Sequence, residues 1–191
     1  MKKGHLFIIS GPSGVGKGTI IKGVLKEIPE LHLAISATTR PARETEVYGK
    51  DYFFLTNDEF DKKIEENAFL EWCPVHNYRY GTLKEELTPR LNKGENIIIE
   101  IDTEGAKKIM KNCPESISIF IAPPKNISNQ TLLNRLSKRN TESKEEIQNR
   151  MKKVSAELAD MDQYDHQVIN DKVNEATKTL VNIILNITKV C

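Results

Sequence analysis

The fold is decided by one stretch, Gly11-Pro12-Ser13-Gly14-Val15-Gly16-Lys17-Gly18-Thr19, which lies between a short apolar run and an amphipathic helix. The run 6–10, Leu-Phe-Ile-Ile-Ser, is typical of a buried parallel strand. Apolar residues at helical spacing follow Lys17 as far as Pro29, which stops the helix. A strand, a glycine-rich loop, a lysine and a helix in this order form a P-loop. The sequence therefore predicts that the loop N–H groups, the lysine ammonium and the helix N-terminus bind the phosphates of a nucleoside triphosphate.

One position departs from the usual P-loop pattern, in which Ser or Thr follows the lysine and ligates Mg²⁺. Gly18 stands there, and Thr19 comes one place later. The metal could then be held by Thr19, by phosphate oxygens or through water, because Mg²⁺ keeps several of its waters. The predicted triphosphate-binding residues are Gly11, Ser13, Gly14, Val15, Gly16, Lys17, Gly18 and Thr19.

Composition narrows the class of protein. A chain of 191 residues suits one domain, and a net charge of +1 gives no reason to expect nucleic acid or a membrane as partner. Three widely spaced cysteines without a CxxC pair indicate reduced thiols rather than a disulfide framework or a zinc site. No apolar run approaches the roughly 20 residues that span a bilayer, and the first strand leaves no room for a signal peptide. We therefore expect a cytoplasmic protein.

Strand-like and helical patterns alternate along the chain. Apolar runs at 33–36, 97–101, 117–121 and 167–169 are separated by helical patterns at 18–28, 83–92, 103–112, 128–139, 143–160 and 172–187. This alternation predicts an α/β fold with a parallel sheet covered by helices. The predicted core comprises residues 1–35, 83–125 and 158–191, and the two stretches between these ranges are predicted to be insertions. The aromatic-rich residues 36–82 predict a small mixed or antiparallel subdomain, and 126–157 predict a charged helical hairpin.

The first insertion carries groups that suit a purine monophosphate. Arg40 and Arg43 offer guanidinium forks that fit a phosphate dianion, although two arginines beside a proline are often only a solvated turn. Tyr52 and Tyr80 add phenols that could donate to the same phosphate. Glu71 lies in an apolar run, where a buried carboxylate is costly unless it meets donors. The N–H groups of a purine would supply those donors.

These motifs, taken in order, resemble the guanylate kinases, which transfer the γ-phosphoryl group of ATP to GMP and so give ADP and GDP. The resemblance runs nearly end to end. It is carried by the P-loop, Ser-Ala-Thr-Thr-Arg-Pro-Ala-Arg at 36–43, Gly-Lys-Asp-Tyr-Phe-Phe at 49–54, Tyr-Gly-Thr at 80–82, Ile-Asp-Thr-Glu-Gly at 101–105, Phe-Ile-Ala-Pro-Pro at 120–124, Arg-Leu-x-x-Arg at 135–139 and Tyr-Asp-His-Gln-Val-Ile-Asn-Asp at 164–171. It implies a P-loop core, a GMP-binding subdomain at 36–82 and a helical lid at 126–157.

The resemblance also implies roles for individual residues. The residues expected around GMP are Ser36, Arg40, Arg43, Glu46, Tyr52, Glu71, Tyr80, Thr82 and Asp102. The cations expected at the transferred phosphoryl group are Lys17, Arg135, Arg139 and Arg150. Asn170 is expected on the adenine side of ATP. Mg²⁺ is the implied cofactor, with Thr19 and Asp102 as candidate ligands, although Asp102 could instead orient the acceptor. The implied substrates are ATP and GMP, while the use of dGMP and the oligomeric state stay open.

Two other functions compete with this one. Scaffold proteins contain guanylate-kinase-like domains that bind phosphopeptides and have lost catalysis, but those domains usually have a degraded P-loop, whereas Lys17 and its glycines are intact here. A kinase of another monophosphate is the nearer alternative. Glu71 with the hydroxyls of Ser36 and Thr82 disfavours it, because guanine presents N1–H and a 2-amino group as donors and O6 as an acceptor.

Overall fold

The computed structural model describes residues 3–75, 77–124 and 154–189. Most of the predicted lid, 126–157, lies outside these ranges, and so do Arg135, Arg139 and Arg150. The chain divides into two compact units. The first comprises Met1–Phe7, Glu30–Ile99 and Glu104–Ser116, and the second comprises Ile8–Pro29, Glu100–Thr103 and Ile117–Cys191. We describe each unit by itself.

The strands form two sheets. Their bounds are β1 Leu6–Ser10, β2 His32–Leu33, β3 Ala37–Thr38, β4 Phe53–Phe54, β5 Phe69–Val75, β6 Tyr78–Leu83, β7 Ile97–Glu100, β8 Ile117–Ala122 and β9 His166–Ile169. The larger sheet has the order β2–β7–β1–β8–β9, with β2 parallel to β7 and β8 parallel to β9. Every residue of β1 is buried, as its continuous apolar run predicts. The predicted parallel α/β sheet is thereby confirmed.

The helices predicted at 18–28, 83–92, 103–112 and 172–187 are confirmed within one or two residues, whereas the helix at 57–65 was not predicted. They are α1 Lys17–Glu27, α2 Asn57–Glu65, α3 Lys84–Asn92, α4 Thr103–Asn112 and α5 Val173–Lys189. In the second unit, α1 packs against α5. Gly23 permits this close approach, because a Cβ there would lie 2.8 Å from the Thr177 side chain. Residues 154–159 are also helical. No helix in the described ranges has the length and apolarity needed to cross a bilayer.

The smaller sheet lies in the first unit and has the order β4–β3–β6–β5. Strands β3 and β4 are parallel, whereas the other two pairs are antiparallel, so the predicted mixed subdomain is confirmed as a mixed sheet. Its core contains Ala37, Phe60, Phe69 and Leu83, with Trp72 packed against it. Helix α2 begins at a capping box in which Thr56 and Glu59 exchange hydrogen bonds.

The predicted strand at 33–36 is wrong, because the chain changes sheets within it. Strand β2 ends at Leu33, and β3 begins at Ala37 in the other sheet. The backbone between β2 and β3 forms hydrogen bonds with a strand of each sheet. Ala34 N still donates to Ile98 O at 2.8 Å, while Ser36 O accepts from Phe53 N at 2.9 Å. An apolar run alone does not show which sheet each residue joins.

Candidate active site

The P-loop connects β1 to α1 and depends on glycine conformations. Gly11, Gly14 and Gly16 have φ of 140°, 75° and 97°, which other residues rarely adopt. A Cβ at Gly11 would lie 2.2 Å from Ile121 O, so the backbone itself fills that space. Gly16 caps α1 without any side-chain hydrogen bond. The first N–H groups of the helix are therefore not capped by a side chain of the protein, which is the arrangement that binds a phosphate.

Lys17 is the first residue of α1, and its side chain folds back onto the loop. Its Nζ donates to Gly11 O at 2.6 Å and to Pro12 O at 3.2 Å. Burial lowers the pKa of Lys17, whereas the carboxylates of Glu100, Glu157 and Asp102 act in the opposite direction. Three acidic side chains of the second unit therefore act electrostatically on this ammonium.

Glu100 approaches the position where the loop departs from the usual pattern. A Cβ at Gly18 would lie 3.5 Å and 3.7 Å from the two Glu100 carboxylate oxygens. Although Glu100 is exposed to solvent, desolvation by nearby protein atoms raises its pKa, and Lys17 and Lys22 oppose that shift. A carboxylate therefore lies beside the place where a Ser or Thr side chain would begin.

Glu157, whose charge acts on Lys17, was not among the candidate residues predicted from the sequence. It is buried, and its Oε1 accepts from the Thr103 hydroxyl at 3.5 Å. A signal was present, because Val154 and Glu157 are three residues apart and share the buried face of their helical segment. A carboxylate on an apolar helix face indicates that it meets a partner inside the fold.

The donor chemistry of this unit fits Mg²⁺. The described residues contain no group of three or more His, Cys, Asp or Glu side chains suited to a metal. Mg²⁺ does not need one, because it is commonly bound by one or two carboxylates together with substrate phosphates and water. Asp102 offers a half-buried carboxylate and Thr19 an exposed hydroxyl, and both are hard oxygen donors.

In the first unit, Arg40 is held from several sides. Its Nε donates to Tyr80 Oη at 3.2 Å, and one terminal nitrogen donates to Glu46 Oε1 at 2.8 Å. The guanidinium carbon lies 5.4 Å from the centre of the Tyr52 ring, and the Tyr52 and Tyr80 rings meet edge to face at 6.0 Å. Because Tyr80 accepts at its oxygen, its own O–H can donate to a ligand. The structure thus brings together Arg40, Tyr52 and Tyr80.

Glu46 organises the loop that carries both predicted arginines. Its Oε2 accepts from the backbone N of Arg43 at 2.8 Å, and the Arg40 hydrogen bond is the main cause that lowers the pKa of Glu46. One terminal nitrogen of Arg43 lies 3.7 Å from Glu46 Oε1. The Arg43 side chain is 63% exposed to solvent, whereas the Arg40 side chain is 13% exposed. The two arginines are therefore not equivalent, since Arg40 is oriented and Arg43 extends into solvent.

Glu71 and Thr82 form a buried cross-strand pair. They are opposite each other in β5 and β6, and the Thr82 hydroxyl donates to Glu71 Oε1 at 3.0 Å. Their exposed fractions are 6% and 1%. We expected this hydroxyl to donate to guanine O6, whereas in this structure it donates to the carboxylate. Ser36 is half-buried and directly precedes β3, and Asp102 belongs to the second unit.

Asn170 contacts the P-loop. Its Nδ2 donates to Val15 O at 2.7 Å, at a buried position directly after β9. The family resemblance implies a position for this residue near the adenine, whereas its contact with the loop was not predicted.

Comparison with known proteins gives a consistent result. The family model described as guanylate kinase matches residues 3–187. The chain is 47% identical over 184 residues to a guanylate kinase of Caldanaerobacter subterraneus subsp. tengcongensis, covering 96% of this chain and 88% of that relative. It is 45% identical to a guanylate kinase of Clostridium acetobutylicum, with 96% and 86% covered.

A solved structure agrees with these sequence matches. The guanylate kinase of Anaplasma phagocytophilum superposes with a TM-score of 0.78 at 28% identity, and the match covers 98% of this chain and 87% of that one. Family model, sequence relatives and structure all extend over nearly the whole chain. The chain therefore belongs to the guanylate kinase family.

Proposed function

We propose that this protein catalyses transfer of the γ-phosphoryl group of ATP to GMP, giving ADP and GDP, in purine nucleotide metabolism of the cytoplasm. The observation that carries the proposal is the buried Glu71–Thr82 pair. Phosphate-binding loops occur in many kinases, whereas a buried carboxylate on a strand suits the N1–H and 2-amino donors of guanine. The relatives named guanylate kinase support the same activity.

The GMP phosphate would bind at the cluster around Arg40 in the subdomain 36–82. Arg40 offers a planar charged donor already oriented by Glu46, and Tyr80 offers an O–H beside it. Arg43 and Tyr52 would complete the phosphate contacts. Glu71 would accept from the guanine, with Ser36 and Thr82 completing the recognition in this unit. The family resemblance also assigns Asp102, which belongs to the second unit, to GMP. Because Glu46 and Tyr80 already hold Arg40, and Thr82 already holds Glu71, these two side chains need little ordering on binding.

The ATP phosphates would bind at the P-loop. The N–H groups of residues 11–19 and the N-terminus of α1 would surround the phosphate oxygens, and Lys17 would reach the terminal ones. Thr19 or Asp102, together with the phosphates, would hold Mg²⁺, and a bound Mg²⁺ would neutralise charge on the β- and γ-phosphate oxygens. The acceptor phosphate is already an oxyanion, so the protein needs no general base. Its work is to align the two phosphates and to stabilise charge.

The remaining roles are assigned from the sequence. Residues 126–157 would form a lid over the triphosphate, and Arg135, Arg139 and Arg150 would stabilise the transferred phosphoryl group. Exclusion of water by such a lid prevents wasteful ATP hydrolysis.

The test is a coupled assay of ADP formation from ATP with GMP, AMP, UMP or CMP, with Mg²⁺ and with EDTA in its place. We expect turnover with GMP and Mg²⁺ together, and none when EDTA removes the metal. Turnover with a different monophosphate would overturn the assignment of Glu71 to guanine. A folded protein that is inactive with all four monophosphates would overturn the proposed activity itself.

A further inference from the structure

Asn170 joins the P-loop to a distant part of the second unit. Its backbone N donates to Ala122 O at 2.7 Å, which anchors it at the end of β8. Its Nδ2 donates to Val15 O, also at 2.7 Å, across a sequence separation of 155 residues. Since a carbonyl only accepts, the amide nitrogen must face Val15, and this fixes the orientation of the side chain. With 4% of its surface exposed, Asn170 is a buried polar residue.

The same amide also lies against Gly16, the last residue of the loop before α1. Gly16 has φ of 97°, and a Cβ there would lie 2.7 Å from Asn170 Nδ2. The side chain therefore packs directly on the backbone of the residue that precedes Lys17. Hydrogen bonding at Val15 and close packing at Gly16 act on successive residues, at the point where the loop turns into α1. A shift of this backbone would move both Lys17 and the helix N–H groups.

We propose that Asn170 is a positioning residue for the P-loop, acting through Val15 and Gly16 to hold the loop in its phosphate-binding conformation. This inference rests on the proposed function of the loop as the ATP phosphate site. It differs from a contact with adenine, because its effect reaches the phosphates and is independent of the base. Within the described residues, Oδ1 of Asn170 has no hydrogen-bond partner, so the contact that engages this amide is the one to the loop.

The two roles separate when a ligand without a base is used. Binding of ATP and of inorganic tripolyphosphate would be measured by calorimetry for the wild type and for Asn170→Ala, Asn170→Asp and Asn170→Ser. We expect Asn170→Ala to weaken both ligands by the same factor, about tenfold for the loss of one buried hydrogen bond. Asn170→Asp should be worse, because it sets a carboxylate against Val15 O. Asn170→Ser keeps a hydrogen-bond donor in a smaller side chain and should fold. It should weaken the binding of both ligands by the same factor, and by less than Asn170→Ala does.

Matched controls make the result specific. Asn182 is an exposed asparagine on α5, so Asn182→Ala and Asn182→Asp should leave both affinities unchanged. GMP affinity should also stay unchanged in the Asn170 variants, whereas a general loss of structure would lower it as well. Weakened ATP binding with unchanged tripolyphosphate binding would overturn the proposal in favour of an adenine contact. Unchanged binding of both ligands, or an equal loss for GMP, would also overturn it. Turnover of GMP by the wild type tests the proposed function separately.

Discussion

At the scale of single residues, Glu71 shows how the energetic cost of burial indicates function. A carboxylate that is 6% exposed in a strand of mostly apolar residues carries a large desolvation cost. Thr82 offsets part of this cost through one hydrogen bond at 3.0 Å. A carboxylate has room for several donors, and a guanine would provide two more. The proposed recognition of guanine would bring these donors to Glu71.

Glu71→Gln is expected to lower kcat/KM for GMP by about 100-fold. The amide keeps the shape of the side chain but replaces an acceptor with a donor that faces the N–H groups of guanine, a mismatch of about 2–3 kcal/mol. Steady-state kinetics with GMP as the varied substrate would measure it. Glu66→Gln, an exposed change on the same unit, should have no effect. Undiminished turnover of GMP by Glu71→Gln would rule out the assigned role.

At the scale of secondary-structure elements, Arg79 ties α2 to the smaller sheet. It lies in β6, pairs with Asp61, and donates to both Asn57 O and Asn57 Oδ1 at 3.0 Å. Its guanidinium carbon is 4.8 Å from the centre of the Phe60 ring. The next residue in the strand is Tyr80, which accepts from Arg40. One side chain thus holds the helix against the strand that carries a proposed phosphate contact.

Arg79→Met should lower the free energy of unfolding by about 1–2 kcal/mol and raise KM for GMP severalfold, with a smaller change in kcat. The loss combines hydrogen bonds to a half-exposed charged group with one cation–π contact. Urea denaturation and steady-state kinetics would measure the two effects. Lys62→Met is the control, because Lys62 lies on the same helix and its side chain is 75% exposed. It should change the free energy of unfolding by less than about 0.5 kcal/mol. A KM for GMP equal to that of the wild type would contradict the positional role of Arg79.

A second link between elements is sensitive to acid. The N and Oγ of Ser118 in β8 donate to Asp165 Oδ2 at 2.8 Å and 2.7 Å, just before β9 begins. Burial alone would raise the pKa of Asp165, but the Ser118 hydrogen bonds bring it below its ordinary value of 3.8. A carboxylate with a depressed pKa stabilises the fold above its unfolded-state pKa. That stabilisation is lost as pH falls through the folded-state pKa.

Ser118→Ala is therefore expected to lower the free energy of unfolding at pH 7 by about 1–2 kcal/mol, because it removes a buried hydroxyl bonded to a charged group. The difference from the wild type should shrink below pH 3.8, where Asp165 begins to take up a proton. Urea denaturation between pH 7 and pH 3 would measure this dependence. A difference that stays constant over the whole range would show that the hydroxyl does not act through the Asp165 charge.

At the scale of the whole molecule, the candidate residues fall into two sets. Apart from Asp102, the described residues proposed to bind GMP belong to the first unit, whereas the P-loop and its acidic neighbours belong to the second. Each set is held by hydrogen bonds within its own unit, such as Arg40 to Glu46 and Asn170 to Val15. Substitutions in one set should therefore affect one substrate more than the other.

Thermal unfolding in the presence of single substrates would test this separation. At a concentration of about 100 Kd, GMP or ATP should stabilise the wild type by about 2.7 kcal/mol, which corresponds to a Tm increase of roughly 5–10 °C. Glu71→Gln should lose most of the increase with GMP and keep the increase with ATP. Removing Mg²⁺ with EDTA should leave most of the GMP effect intact, because Asp102 is the one proposed GMP contact that is also a candidate metal ligand. Loss of both effects in Glu71→Gln would contradict independent binding.

The sequence by itself determined the glycine-rich loop and most strands and helices of the α/β core, and it predicted the chemical class of the acceptor residues. These follow from local properties, because glycine conformations, apolar periodicity and the cost of a carboxylate in an apolar run are encoded in neighbouring residues. Only the tertiary structure decided which side chains meet across the chain. It brings Glu157 and Glu100 to Lys17, Asn170 to Val15, and Glu46 to Arg40 while Arg43 stays exposed. Such contacts depend on how strands and helices pack, and no local pattern determines that packing.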